Sequence, residues 1–378
     1  MKILHVAPIK LRASGPTSVL IPLLKELCQG HDIGLISTNE AQGELLVEKI
    51  NNNKIKCYNV SFEKTKISTN PKKWLEENIP DIQEYDLVHF HGVFQIKQSL
   101  MARGLKKIGI PYIISPHGNL MKEALKHKKI KKKLGIFFLL GRYIREANFI
   151  HALAKEEEEN ILDNFPNARI FNIPNGTEII SNEIKAELSN QKDVFNIVFL
   201  GRLDVHHKGL DILIEAVKIL IGKNVKDFKI QLVGPINREE DKRYFQKNLD
   251  SSLQEHIQLV GPKYGSEKED ILSHCDFVIH TSRYEGMPMS ILESMGMGKP
   301  VIVTNGTNMT QIIEQSKGGI ISQRDPEDVA VAIEKALKMD KKEIKLMGEN
   351  SKNWCFSYHK WKGISDDYTV FYNHLLKV

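Results

Sequence analysis

The sequence is short of cysteine. Its four, Cys28, Cys57, Cys275 and Cys355, are scattered through 378 residues with no C-x-x-C spacing. That argues against a disulfide framework or a thiolate zinc site and fits a reducing compartment. Long apolar runs are also missing. The longest, Leu134 to Gly141, covers eight residues, far below the ~20 a spanning helix needs. The opening Met1-Lys2-Ile3-Leu4-His5-Val6-Ala7-Pro8 is too soon interrupted for a signal peptide. No self-similar period of ~20–50 residues is visible, so a solenoid is not indicated. The expectation is a cytoplasmic protein, at most resting on the inner face of the plasma membrane.

An excess of acid is lacking too, and the imbalance is local. Residues 1–180 hold 26 Lys and Arg against 19 Asp and Glu, or +7; the remainder holds 27 against 28, or −1. A basic first half suits an anionic partner: a membrane surface, a phosphorylated acceptor or nucleic acid. Six lysines fall within Lys126–Lys133, just before Leu134–Leu140. A basic stretch feeding an apolar one reads as a contact with anionic membrane through Lys126–Leu140, or equally as a solvated helix start feeding a buried helix. No aromatic residue interleaves those lysines, so nucleic acid is not the expected partner.

What is present is a repeated alternation. Ile3–Ala7, Ile33–Ser37, Asp86–Phe90 and Tyr112–Ser115 are apolar runs with little polar alternation, as parallel strands buried on both faces require. Helical patterns such as Pro16–Gln29 lie between them. The pattern restarts at Asn196–Leu200 and continues through Lys229–Val233, Ile257–Val260, Phe277–His280 and Pro300–Thr304. Intervening helices are clearest at Gly209–Ile221, Pro288–Met297 and Pro326–Lys338. A polar, strand-poor stretch near Pro174–Asn190 reads as the linker. The fold class is α/β, two doubly wound parallel-sheet domains of Rossmann type facing a central cleft, with ligands outside the carboxyl ends of the strands. The domains are expected at 1–180 and 181–357. The aromatic, helical tail 358–378 either caps the second domain or crosses back to the first, and the assignment made is the crossing.

Chemistry concentrates after two strands of the second half. In Arg283-Tyr284-Glu285-Gly286-Met287-Pro288-Met289-Ser290-Ile291-Leu292-Glu293, Pro288 suits the first turn of a helix. Glu285 then sits in the strand-end loop, with Glu293 about one turn inside the helix. A helix N-terminus at a strand's carboxyl end is an anion site, suited to a diphosphate. Glu285 could accept hydrogen bonds from two sugar hydroxyls, and Glu293 from a ribose diol. Two glutamates at this spacing are common, and alone they are as readily solvated charges. Gly201-Arg202 through Lys208-Gly209 changes the balance, because it places two cations in another loop between strand and helix. Arg offers a planar fork and Lys a point charge, and together they can neutralise a departing diphosphate without a metal.

Gly201-Arg202…Lys208-Gly209, then Glu285-x7-Glu293, then Gly298-Lys299-Pro300-Val301-Ile302, resemble the retaining glycosyltransferases of family 4, which have the GT-B fold. Ser115-Pro116-His117-Gly118 and Pro174-Asn175-Gly176-Thr177 resemble that family's first-half motifs. The resemblance spans nearly the whole chain and is poor for the sugar. It implies a nucleotide-sugar donor, Arg202 and Lys208 on its diphosphate, Glu285 on the sugar, Glu293 on the ribose, and His117 by the donor sugar in the cleft. Gly15, Gly201, Gly286, Met287, Met289 and Ser290 complete the implied donor site. His91 and Asn119 are candidates for the acceptor. No metal or other cofactor is implied, and no acidic D-x-D pair stands in a suitable loop.

The chain departs from the family pattern at Ser14-Gly15-Pro16, where a Gly-Gly pair is usual, and at Met287-Pro288, where Phe-Gly is usual. Pro288 lacks the N–H that would contact the donor. The donor expected on family frequency is a UDP-linked hexose or N-acetylhexosamine. The acceptor is a glycan or a polyprenyl-diphosphate-linked glycan, in surface-polysaccharide synthesis. A sugar-nucleotide epimerase of the same fold and a non-catalytic partner subunit are the alternatives. His89 and His91, in Val88-His89-Phe90-His91-Gly92, are expected to face opposite sides of their strand and so to make a poor metal pair.

Overall fold

The computed structural model describes residues 1–9, 15–38, 55–58, 60, 70–126, 140–178 and 194–377. Ser14, most of the basic stretch Lys126–Leu140 and the larger part of the expected linker lie outside them. The chain forms two compact units. One joins Met1–Gly176 to Trp361–Val378, and the other is Thr177–Lys360.

The first unit is built on a seven-stranded parallel sheet in the order β3-β2-β1-β4-β5-β6-β7. Its strands are β1 Lys2–Ala7, β2 Asp32–Ser37, β3 Ile55–Tyr58, β4 Leu87–His91, β5 Tyr112–Ser115, β6 Phe149–Ala152 and β7 Ile170–Asn172. Central strands β1, β4 and β5 are buried along almost their whole length. Helices on the faces supply the covering layers that an all-parallel sheet needs. The sequence pattern had missed β3, β6 and β7, which are short. Phe149, Ile170 and Phe171 of the last two are only half-buried, so their apolar signal is weak. The chain's last helix, Trp361–Leu375, belongs to this unit. It buries Tyr368 and Tyr372, and Phe371 stacks on Phe171 at 3.5 Å between ring centroids.

The second unit has six parallel strands in the order β10-β9-β8-β11-β12-β13. These are β8 Phe195–Leu200, β9 Phe228–Val233, β10 Ile257–Gly261, β11 Phe277–His280, β12 Val301–Thr304 and β13 Gly319–Ser322. The helix Pro326–Leu337 shows how sequence sets an element. Asp325 caps it by accepting from the Glu327 and Asp328 amides, and Pro326 opens it. Val329, Ile333 and Ala336 recur at helical spacing and are fully buried, packed toward the helix Leu210–Gly222. Within this unit the Thr177 amide donates to the His359 carbonyl at 2.6 Å, which ties the unit's first and last segments together.

Among the described residues, no helix is long and apolar enough to cross a membrane.

Candidate functional site

The second unit's strand order runs outward in both directions from β8 and β11, which pair in parallel. A crevice opens at the carboxyl ends of such a strand pair. Two loops leave there, residues 201–209 after β8 and 281–288 after β11, and they are stitched together. The Thr281 hydroxyl is shared between the carbonyls of Lys208 and Gly209, at 3.0 and 2.9 Å. Gly209 has φ 62°, and a Cβ there would lie 2.0 Å from the Thr281 oxygen. Only glycine tolerates both the left-handed backbone and that approach. The Arg283 amide donates to the His207 carbonyl. Its guanidinium grips both oxygens of Asp211 at 2.7 Å each, a bidentate clasp between the loops. Arg238 bonds Asp204 and Asp241, while Asp204 accepts the His207 amide and Asp241 the Val205 amide.

Lys208 and Glu285 meet in this scaffold. Lys208 Nζ lies 2.5 Å from Glu285 Oε1, and both side chains are largely buried. Ser282 Oγ donates to the same oxygen at 2.9 Å. Asn308 donates to the Glu285 carbonyl and holds the backbone. Burial alone would raise the Glu285 carboxyl, but the charge of Lys208, with His207 and His280, overrides it and brings the pKa down to about 2. Glu285 is therefore an anion with Oε1 pinned and, among the described residues, no hydrogen bond at Oε2. Such an oxygen can accept from a ligand hydroxyl.

His207 completes the group. Its Nε2–H donates to the Tyr284 carbonyl at 2.9 Å, and its ring stacks on Tyr284 at 4.3 Å. Burial lowers its pKa, so Nδ1 is bare and faces Arg202 Nη2 at 3.4 Å. Arg202 itself is exposed after Gly201. Pro288 does not lie in the first helical turn as expected. It is the cap residue one position before the helix Met289–Gly296, with its carbonyl accepting from Ile291 and Leu292. Its ψ of 119° keeps it extended, and the first helical residues become Met289 and Ser290. Their amides belong to the first turn, which lacks intrahelical acceptors. The Ser290 hydroxyl lies 2.9 Å from His280 Nε2. Gly286 and Met287 are buried between Glu285 and the helix. Glu293 stands apart from the cluster, in an ion pair with Lys268 at 3.0 Å.

In the first unit the switch point falls between β1 and β4. Here the expectation about His89 and His91 is wrong. Side chains alternate along a strand, so residues two apart share a face. The two rings stack at 4.2 Å between centroids. His5 of β1, in register with His89, joins them. One ring nitrogen from each of the three lies within 4.8 Å of the others. Both nitrogens of His89 and both of His91 already make hydrogen bonds, so a metal would have to break them; among these three rings only His5 Nε2 lacks a partner.

The seam is two hydrogen-bonded rows. In the first, His5 Nδ1 meets His91 Nε2 at 3.1 Å, and His91 Nδ1 meets His117 Nε2 at 3.1 Å. The second runs from Tyr372 OH to His89, Ser115 Oγ and His151, ending at the Ile173 carbonyl, with separations of 2.7 or 2.8 Å. Burial lowers all five imidazoles, His117 to about 4 and His5 and His151 to about 3. The rings are neutral. Since the Ile173 carbonyl only accepts, His151 Nε2 carries its proton, Ser115 donates to His151 Nδ1, His89 donates to Ser115, and Tyr372 donates to His89.

His117 sits just after β5 with φ 51°, an uncommon value for a side-chain-bearing residue, and Gly118 follows at 79°. The fully buried Glu157 accepts from the Gly118 amide at 2.6 Å and the Leu153 amide at 2.8 Å. Burial raises its carboxyl to about 7, partly offset by those amides. Asn119 turns its side chain onto the Pro116 carbonyl, closing the same turn. Gly15 opens the helix Gly15–Leu27 after β1. Sequence reasoning overlooked His5, Ser115, His151, Glu157, His207 and Ser282. The period-two spacing of His89 and His91 could have exposed the seam. Glu157 hides within a run of four glutamates, and nothing local marks the inward one.

Two family models match adjoining parts of the chain: "Glycosyltransferase Family 4" over residues 15–179 and "Glycosyl transferases group 1" over residues 180–354. An uncharacterised glycosyltransferase of Methanocaldococcus jannaschii is 28% identical, with 75% of each chain covered. The UDP-Gal:alpha-D-GlcNAc-diphosphoundecaprenol alpha-1,3-galactosyltransferase of Escherichia coli is 26% identical over 72% of this chain and 70% of its own. Among solved structures, HepE of Anabaena in complex with UDP and glucose superposes with a TM-score of 0.74 at 16% identity, covering 99% of this chain and 100% of its own. The sucrose-phosphate synthase of Thermosynechococcus elongatus gives 0.71 at 16% identity, with full coverage of both chains.

Proposed function

Because the chain belongs to glycosyltransferase family 4 and has the GT-B fold, we propose that it moves a sugar, with retention at the anomeric carbon, from a nucleotide-sugar donor to a hydroxyl of a glycan or polyprenyl-diphosphate-linked glycan. The observation that carries this reading is the Lys208–Glu285 pair at the β8/β11 switch point, with one carboxylate oxygen held and the other open. Arg202, Lys208 and the first-turn amides of Met289 and Ser290 bind the donor diphosphate. Glu285 Oε2 accepts from the donor sugar's hydroxyls. Glu293 serves the ribose, and the family resemblance assigns donor contacts to His117 and Gly15 as well. His91 and Asn119 are kept as acceptor candidates only through the turn they support. A UDP-linked hexose or N-acetylhexosamine is the donor favoured by the likeness to the E. coli UDP-Gal galactosyltransferase and to HepE in complex with UDP and glucose. The E. coli relative's name also favours a lipid-diphosphate acceptor and hence a role in surface polysaccharide made at the cytoplasmic membrane face.

In the reaction the acceptor oxygen bonds to the anomeric carbon on the side from which the diphosphate leaves. The bond from that carbon to the diphosphate oxygen breaks, and the departing oxygen takes the acceptor's proton. The protein positions the partners and stabilises negative charge on the leaving group. Arg202 and Lys208 supply the positive charge that does so, no metal is needed, and chelator should leave the rate unchanged.

Glu285→Ala tests the reading. Transfer should fall at least ~100-fold, the loss typical of removing a group that orients the reacting centre, while affinity for the free nucleoside diphosphate stays close to wild type. Equal loss of nucleotide binding in calorimetry would refute the role given to Glu285.

A further inference from the structure

We propose that the row His5–His91 sets the tautomer of His117, so that His117 presents an Nδ1–H donor to an oxygen of the bound ligand. The proposal rests on the reading above for what that ligand is, but the tautomer itself follows from the first unit alone.

Three neutral imidazoles carry one ring proton each, and two hydrogen bonds join them end to end. With both bonds made, the row can run in only two directions. In one, His5 Nδ1–H donates to His91 Nε2, His91 Nδ1–H donates to His117 Nε2, and the His117 proton is on Nδ1. In the other, every proton moves to the opposite nitrogen. His117 then donates inward through Nε2–H and keeps a bare Nδ1, while His5 is left with a proton on Nε2.

The far end decides between them. His5 is fully buried, and its Nε2 has no hydrogen-bond partner among the described residues. The second direction would strand an N–H donor in the core. The first strands only a lone pair. Orphaned buried N–H groups are the rarer defect, and leaving a donor unmade costs its full desolvation. The neighbouring ring His89 cannot rescue His5, because its own two nitrogens are committed to Tyr372 and Ser115. That second row is itself directed, by the Ile173 carbonyl.

The consequence is at the other end. His117 is partly exposed. Its Nε2 is the nitrogen turned to His91, and its Nδ1 has no hydrogen bond within the described residues. A donor there selects ligand oxygens that accept, such as a sugar hydroxyl's lone pair or a phosphate oxygen. A bare nitrogen would select a hydroxyl proton instead. His5, two hydrogen bonds removed from His117, thereby acts as a positioning residue.

The test is a two-bond proton–nitrogen correlation spectrum of the ligand-free, histidine-labelled full chain, with the His117 signals assigned by their loss in His117→Gln. Protonated Nδ1 and bare Nε2 are expected. Protonated Nε2, or signals averaged between tautomers, would overturn the proposal whatever the activity. Two variants extend it. His5→Asn keeps an amide donor close to where Nδ1 was and should keep the tautomer. His5→Leu removes it, should mix the tautomers, and should lower kcat/KM by about 2–10-fold, the worth of one hydrogen bond. A purely structural role for His5 would affect both variants alike and leave the His117 spectrum unmoved. If no sugar transfer is found at all, the function reading fails while the wild-type spectrum still decides the tautomer.

Discussion

At the scale of single residues, burial and one or two partners decide what a side chain can do. Glu285 and Glu157 are both buried carboxyls, yet they are driven in opposite directions. Lys208 against Glu285 keeps an anion; Glu157 has only two backbone amides and is raised to about 7. Glu157 therefore favours the folded state only at low pH. Its folded pKa lies above the ordinary 4.5, so the stability it contributes is present below 4.5 and is lost as pH rises through about 7. Glu157→Ala should abolish that dependence in denaturant unfolding between pH 4 and 8. It should also cost about 1–3 kcal/mol for each of the Gly118 and Leu153 amides left unpaired. A flat difference between variant and wild type across that range would show that Glu157 does not titrate there. None of this was legible in the sequence, where Glu157 is one of four consecutive glutamates and reads as solvent-facing. Lys208 and Glu285 were legible, because each stands in a loop between a recognisable strand and helix.

At the scale of elements, strand ends and one terminal helix arrange the polar groups. The β8 and β11 loops are legible because apolar runs announce their strands. That the loops interlock through Thr281, Gly209 and the Arg283–Asp211 clasp was not legible, since those residues are more than 70 positions apart. The terminal helix shows the same limit. Its aromatic pattern announces a helix, but not that Tyr372 donates to His89 across 283 positions. Tyr372→Phe should leave the helix intact and His89 Nδ1 unpartnered in the core. The expected loss is about 1–3 kcal/mol, read from the chemical unfolding midpoint with an unchanged slope. A loss within experimental error would mean that water or another group replaces the hydroxyl.

At the scale of the whole molecule, the buried histidines of the first unit set a pH limit. His5, His89, His91 and His151, with the half-buried His117, have folded pKa values depressed below the ordinary 6.5 by burial. Their contribution is present above 6.5 and is lost as pH falls from there through about 3. Each removes up to about 1.4 kcal/mol per pH unit in that window. Five such groups outweigh the opposite slope of the single Glu157, so acidification from pH 6.5 to 5 should lower the first unit's unfolding midpoint. Tyr372 and Tyr368 fluorescence or amide exchange in β4 and β5 would follow it; a pH-independent midpoint would contradict neutral burial. Apolar runs and capping residues act over a few neighbours, so the sequence made the two parallel α/β units and their longer strands legible, but not the short β3, β6, β7 and β13. It also brought forward Arg202, Lys208, Glu285 and His117 as residues at strand ends. Tertiary packing alone brings Lys208 and Ser282 onto one oxygen of Glu285, sets Pro288 outside its helix as the cap, and gathers four buried histidines and the half-buried His117 into two rows. Those facts depend on which strands lie side by side, and that is settled by long-range packing that no local pattern encodes.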